Sequence, residues 1–222
     1  MPGLGDQRRE RLARSRLYVV TGAREELGDL DAFLSAVLEG GADIVQLREK
    51  GAEAGDLLRW SKTFRAAADR YGALFVMNDR PDVAIAAGAD GVHLGQTDLP
   101  PAVSRRLIGP EMLVGLSTHS DMEFDAGAPE ADYLCAGPIY ATPTKPGRAA
   151  TGLEIVRHAA GREREGIELR PWFAIGGIDT TLLPRVIEAG ATRIVVVRAV
   201  GGPDPGASVT ALLAALASSP VS

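Results

Sequence analysis

Two aspartates, Asp79 and Asp98, are the first residues in this chain placed to do chemistry. Each stands just after a short apolar run: Leu74–Met77 stops at Asn78-Asp79, and Gly91–Leu94 leads into Gly95-Gln96-Thr97-Asp98. Between the runs, Pro81, Val83, Ala84 and Ala87 keep helical spacing and end at Gly88. The pattern is strand, helix, strand. Parallel strands joined by a helix point the same way, so both carboxylates emerge at one edge. Such a pair forms a seat for a hard cation that also binds phosphate oxygens. The competing assignment is structural: each Asp closely precedes a proline and would cap the helix that follows.

Cations stand nearby. The strand-like run that starts at Ile44 ends in Gln46-Leu47-Arg48-Glu49-Lys50, whose alternation puts Gln46, Arg48 and Lys50 on one side of an extended segment. Arg binds oxygens as a fork and Lys as a point charge, so the pair suits a polyphosphate beside a metal–carboxylate pair. Salt bridges to Glu49 or Glu53 are the bland alternative. Ser117-Thr118-His119 offers a hydroxyl donor for phosphate or, equally, a helix cap. His119 fits three roles, a base, a phosphate donor or a packing histidine. Gly137–Thr151 is the longest irregular connection; its Thr142, Thr144 and Lys145 are anion-binding types, and a loop of this length reads as a lid, with a simple insertion as the alternative. Glycines at Gly176-Gly177, and the strand end Val197-Arg198, leave backbone N–H groups open to a second phosphate.

The elements that must carry these residues recur along the chain. Strand-like runs begin near Leu17, Ile44, Leu74, Gly91, Leu113, Tyr133, Trp172 and Arg193, with helical spacing between them and a last helix over Ser208–Leu216. The joints GAD (Gly41–Asp43), GAD (Gly88–Asp90) and GAT (Gly190–Thr192) each end a helix on a glycine and start a strand. Eight such units predict a single (β/α)8 TIM barrel over residues 15–222, with its chemistry at the C-terminal ends of the strands. An open doubly wound sheet would need fewer strands, and no GxGxxG opens one. A chain of 222 residues, 45% hydrophobic, fills one core. The net charge of -5 argues against nucleic acid or anionic membrane as a partner. No apolar run reaches membrane-spanning length. Cys135 is the only cysteine, which excludes an intrachain disulfide. Residues 1–14 are charged and rich in Gly and Pro, with no hydrophobic signal segment following, and are expected to form a disordered or loosely attached leader on a cytoplasmic protein.

Taken together, QLREK, MND, GVHLGQTD, GLSTH, GPIYATPTK, AIGGI and VVVRAV closely resemble the thiamine-phosphate synthase family, in order, from about Leu17 to the final helix. The resemblance implies a (β/α)8 barrel that joins a hydroxymethylpyrimidine pyrophosphate to a thiazole phosphate, using Mg²⁺ and releasing pyrophosphate. It implies that Gln46, Leu47, Arg48, Glu49, Lys50, Asn78 and Lys145 hold the pyrimidine pyrophosphate, with Ser117 a donor to it. Asp79 and Asp98 would be the metal ligands. Thr142, Pro143, Thr144, Gly177 and the Val197–Arg198 backbone would hold the thiazole phosphate. Arg198 stands where many members carry a small hydroxyl residue. A related thiazole tautomerase, working through a histidine such as His119, and a non-catalytic thiamine-phosphate carrier are the rivals. A homo-oligomer stays open.

Overall fold

The computed structural model describes residues 2–141, 150–165 and 170–218. Eight parallel strands close into a barrel in chain order: β1 (Leu17–Thr21), β2 (Ile44–Leu47), β3 (Leu74–Asn78), β4 (Gly91–Leu94), β5 (Leu113–Thr118), β6 (Tyr133–Ala136), β7 (Trp172–Ile175) and β8 (Ile194–Val196). β8 pairs back onto β1, with Tyr18 opposite Val195. The predicted strands all form, each within a residue of its expected start.

Helices alternate with them: α1 (Leu4–Arg14) precedes β1, then α2 (Leu30–Glu39), α3 (Ala54–Tyr71), α4 (Pro81–Ala86), α5 (Pro101–Ile108), α6 (Asp121–Gly127), α7 (Glu154–Arg164), α8 (Leu183–Glu188) and α9 (Pro205–Ala217). The last begins three residues earlier than expected. Asp204 caps it by accepting from the Ala207 amide at 2.8 Å, and Pro205 sits where a missing N–H costs nothing.

The strands read as continuous apolar runs because both of their faces are buried. One parity fills the barrel, where Tyr18, Val20, Ile44, Val76, Leu113, Tyr133 and Phe173 meet. The other parity, including Val19, Val45, Leu47, Phe75 and Val92, packs under the helices against Leu34, Phe64 and Val83. The GAD joints do more than end helices. Asp43 Oδ2 accepts from the Arg16 and Leu17 amides at 2.8 and 2.9 Å, and Asp90 Oδ2 accepts from Phe75 N at 2.9 Å. Asp132 repeats the contact on Val114 N at 2.8 Å. Each carboxylate thus ties a strand to its neighbour at the N-terminal end of the barrel.

That end corrects the expectation of a disordered or loosely attached leader over residues 1–14. Residues 4–14 form α1, which lies across the N-terminal ends of the strands. Arg8 meets buried Asp90 at 3.0 Å, Arg9 meets Asp132 at 2.9 Å, and Glu111 accepts from the Gly5 amide. Leu12, 1% exposed, joins the interior cluster and closes the barrel floor. Leu12→Ala is therefore expected to cost about 2–5 kcal/mol, the usual range for emptying a buried leucine site. Thermal denaturation measures it; an unchanged Tm would return α1 to a loose attachment.

Candidate active site

The opposite end of the barrel gathers the residues singled out above. β3 ends at Asn78, and the Asp79 amide continues its ladder by donating to the His93 carbonyl at 2.8 Å. Asp79 then takes φ 61°, a left-handed turn that Asp tolerates better than most side chains. The turn sets its carboxylate beside Lys50, with Oδ2 3.3 Å from Nζ, and in hydrogen-bonding contact with Asp98. Asp98 is itself fixed by its own loop, accepting from Gly95 N at 2.7 Å. Burial, and next the Asp98 carboxylate, raise Asp79 above the ordinary carboxylate range, with Lys50 opposing. Neither aspartate caps a helix: the cap positions of α4 and α5 are Arg80 and Pro100, without side-chain capping bonds.

Arg48 is half-buried, and among the described residues no carboxylate takes its guanidinium. The salt bridges to Glu49 and Glu53 do not form; Glu49 instead accepts from Ala23 N at 3.0 Å. Gln46 points into the barrel and donates its amide to the Tyr18 hydroxyl. Leu47 faces the helices, fully buried, so only its backbone reaches the mouth. Ser117, at the end of β5, lies with Oγ 2.9 Å from His93 Nε2. His119, just before the N-cap Ser120 of α6, is held against the first turn of that helix, where Glu123 accepts from its amide at 2.8 Å and meets Nδ1 at 2.9 Å.

Across the mouth, Ser117, Gly137, Pro138, Ile175–Asp179 and Val195–Ala199 line a cavity of about 240 Å³. Its wall needs glycine. Gly176 and Gly177 have φ 110° and 68°, and a Cβ on Gly177 would lie 2.9 Å from Tyr140 Cβ. Val197 leads directly into a single 3₁₀ turn, Arg198–Val200, which exposes the Arg198 side chain. The stem of the expected lid is anchored here: Ile139 N and Tyr140 N donate to the Ile175 and Gly176 carbonyls at 2.9 and 3.1 Å, and Thr151 N donates to the Pro138 carbonyl at 2.7 Å. Thr142, Pro143, Thr144 and Lys145 lie outside the described residues.

Sequence reasoning missed the polar chain below the mouth, in which Tyr18, Tyr133 and His93 join Gln46 to Ser117. The signal was the parity of the strands: residues 18, 46, 93, 117 and 133 all alternate inward. It also missed Asp179, whose Oδ1 accepts from the Thr181 and Leu182 amides at 2.9 Å and fixes the loop after Gly177.

A closed parallel barrel with an acidic pair, nearby cations and a glycine-walled cavity at its C-terminal mouth belongs to the class of (β/α)8 enzymes that work on phosphorylated small molecules. Residues 17–200 match the model of the thiamine monophosphate synthase family, and the chain belongs to that family. It is 50% identical to the thiamine-phosphate synthase of Acidothermus cellulolyticus over 209 residues, covering 93% of this chain and 97% of that protein. It is 52% identical to that of Mycobacterium tuberculosis over 217 residues, covering 93% and 96%. Among solved structures, thiamine phosphate pyrophosphorylase from Pyrococcus furiosus superposes with a TM-score of 0.80 at 34% identity, covering 94% of this chain and 97% of that one.

Proposed function

We propose that this chain condenses 4-amino-2-methyl-5-(diphosphooxymethyl)pyrimidine with 4-methyl-5-(2-phosphooxyethyl)thiazole to give thiamine phosphate and pyrophosphate. The observation that carries the residue assignments is the crowded Asp79–Asp98 pair beside Lys50 and half-buried Arg48, facing a separate cavity across the mouth. Two negative groups forced together with one lysine are short of positive charge, which a divalent cation supplies. Among the described residues no three His, Cys, Asp or Glu side chains gather into a cage. Two carboxylates are nonetheless what Mg²⁺ takes from a protein when phosphate and water complete its shell. Asp79 and Asp98 would hold it, and its charge would offset that of the departing pyrophosphate.

The reaction breaks the bond between the pyrimidine methylene and its pyrophosphate oxygen, and the electron pair leaves with the oxygen. The methylene carbon is conjugated to an electron-rich aminopyrimidine, which spreads the positive charge. Arg48, Lys50 and Ser117 bind the leaving pyrophosphate, joined by Lys145. Gln46 and Asn78, with the Leu47 and Glu49 backbone, orient the ring. The thiazole nitrogen then donates its pair to form the new C–N bond. Its phosphate is anchored by the amides of Gly177, Val197 and Arg198 and by Thr142–Thr144, which holds the nitrogen within reach of the carbon. No side chain need act as nucleophile.

Among the described residues no helix is long and apolar enough to cross a membrane. A single cysteine and small phosphorylated substrates agree with a cytoplasmic enzyme. Mixing both precursors with Mg²⁺ is expected to yield thiamine phosphate and pyrophosphate in equal amounts, with no product in excess EDTA. A change in the thiazole phosphate alone would point to the tautomerase, and tight binding without turnover to the carrier.

A further inference from the structure

Five polar side chains run through the otherwise apolar barrel in one unbroken line. Gln46 Nε2 donates to the Tyr18 hydroxyl, which lies 3.1 Å from that of Tyr133. The Tyr133 hydroxyl is 3.2 Å from His93 Nδ1, and His93 Nε2 is 2.9 Å from Ser117 Oγ. The line begins and ends on two residues assigned to the substrate and otherwise uses none. The rings have little freedom. Tyr18 and Tyr133 are fully buried, both meet Phe173 edge-on, and His93 stacks on Tyr133. Gly115 makes the space, since a Cβ there would lie 2.1 Å from Tyr133 Cζ.

Such a chain has a direction. Burial raises both tyrosines well above their ordinary value, so each keeps one hydrogen to give. Gln46 uses an amide hydrogen on Tyr18, so Tyr18 gives its own to Tyr133, and Tyr133 gives to His93 Nδ1. Nδ1 must then be an acceptor, which leaves the imidazole hydrogen on Nε2, facing Ser117 Oγ. With Oγ already accepting, the Ser117 hydrogen is turned away from the barrel, toward the mouth. The opposite direction would turn a serine lone pair toward an anionic ligand and an amide N–H₂ toward the pyrimidine amine.

We infer that Tyr18, Tyr133 and His93 are positioning residues that polarise the two ends of the site. They fix Ser117 as a hydrogen-bond donor to a phosphate oxygen and leave the Gln46 carbonyl as an acceptor for the amine of an aminopyrimidine. This inference rests on the condensation proposed above.

The tautomer is read without any substrate, by long-range ¹⁵N–¹H correlation on the imidazoles of the three histidines. His93 is expected with its hydrogen on Nε2 in the wild type. Tyr133→Phe, which keeps the ring, should yield a mixture of tautomers. In the condensation assay Tyr133→Phe should lower kcat roughly three- to tenfold, the effect of one net hydrogen bond, with the thiazole-phosphate KM unchanged. In a Ser117→Ala background the same substitution should have a smaller effect than in the wild type, because one of the two groups it orients is gone and only the Gln46 end is left to lose. Tyr18→Phe, one link farther from His93 and the direct partner of Gln46, should disturb the His93 tautomer less and still lower kcat. An Nδ1–H tautomer in the wild type, or losses that add fully in the double variant, would overturn the relay. A wild type that forms no product would instead end the condensation, and the tautomer would still be judged by its own spectrum.

Discussion

Asp79→Asn is expected to lower turnover about 10²–10³-fold, the scale for removing one electrostatic support of a developing charge, while leaving the metal-free protein no less stable. Asparagine is the informative change because it accepts the left-handed backbone at φ 61° and keeps the shape of the side chain. The stability half follows from the direction of the Asp79 shift. A carboxyl raised in the folded state by burial and by Asp98 binds its proton more tightly folded than unfolded. Its contribution to stability therefore falls as pH rises through the ordinary carboxylate range, and the full penalty remains above the folded value. At neutral pH the substitution removes that penalty together with the repulsion from Asp98. Melting in EDTA should show an equal or higher Tm for the variant at pH 7, the difference vanishing on acidification. Near-normal turnover of Asp79→Asn at limiting Mg²⁺ would remove the metal from this pair.

What the sequence disclosed of this arrangement depended on how local each signal was. The strands were legible because burial on both faces turns them into apolar runs such as Leu74–Met77, and the glycine joints mark where three of them, β2, β4 and β8, begin. Alternation along those strands correctly aimed Gln46 inward. It did not reveal Gln46's partner, because Tyr18 and Tyr133 inside apolar runs look like packing and become polar only when six strands of curvature bring them together. The acidic pair was ambiguous for a related reason. Spacing from a proline favours a cap, and only the folded chain shows Arg80 and Pro100 at the cap positions and Asp79 beside Lys50 and Asp98, both distant in sequence. α1 was least legible of all. Its surface is mostly charged, and what holds it is one leucine, ion pairs to Asp90 and Asp132, 82 and 123 residues away, and hydrogen bonds to Pro110 and Glu111.

The largest effect at the second anchor is expected from a residue with no side chain. If Gly177, Val197 and Arg198 hold the thiazole phosphate through their amides, the site depends on how closely the backbone can approach. Gly177 has φ 68°, and an added Cβ would press within 2.9 Å of Tyr140 Cβ. Valine would be strained by the backbone alone and would also push the stem that Tyr140 N ties to the Gly176 carbonyl. Gly177→Val should raise the thiazole-phosphate KM on the order of 10²-fold, combining 1–3 kcal/mol of strain with lost amide contacts. Arg198 is exposed, so its contact to the phosphate lies at the weak end for a charged hydrogen bond, about 1.5 kcal/mol. Arg198→Ala should therefore raise the same KM only about tenfold. Neither change should move the KM of the pyrimidine pyrophosphate, which is bound across the mouth, and circular dichroism will show whether each variant remains folded. The reverse order, with Arg198→Ala abolishing activity and Gly177→Val tolerated, would mean that the phosphate is held by the guanidinium rather than by the backbone of the β7 and β8 loops.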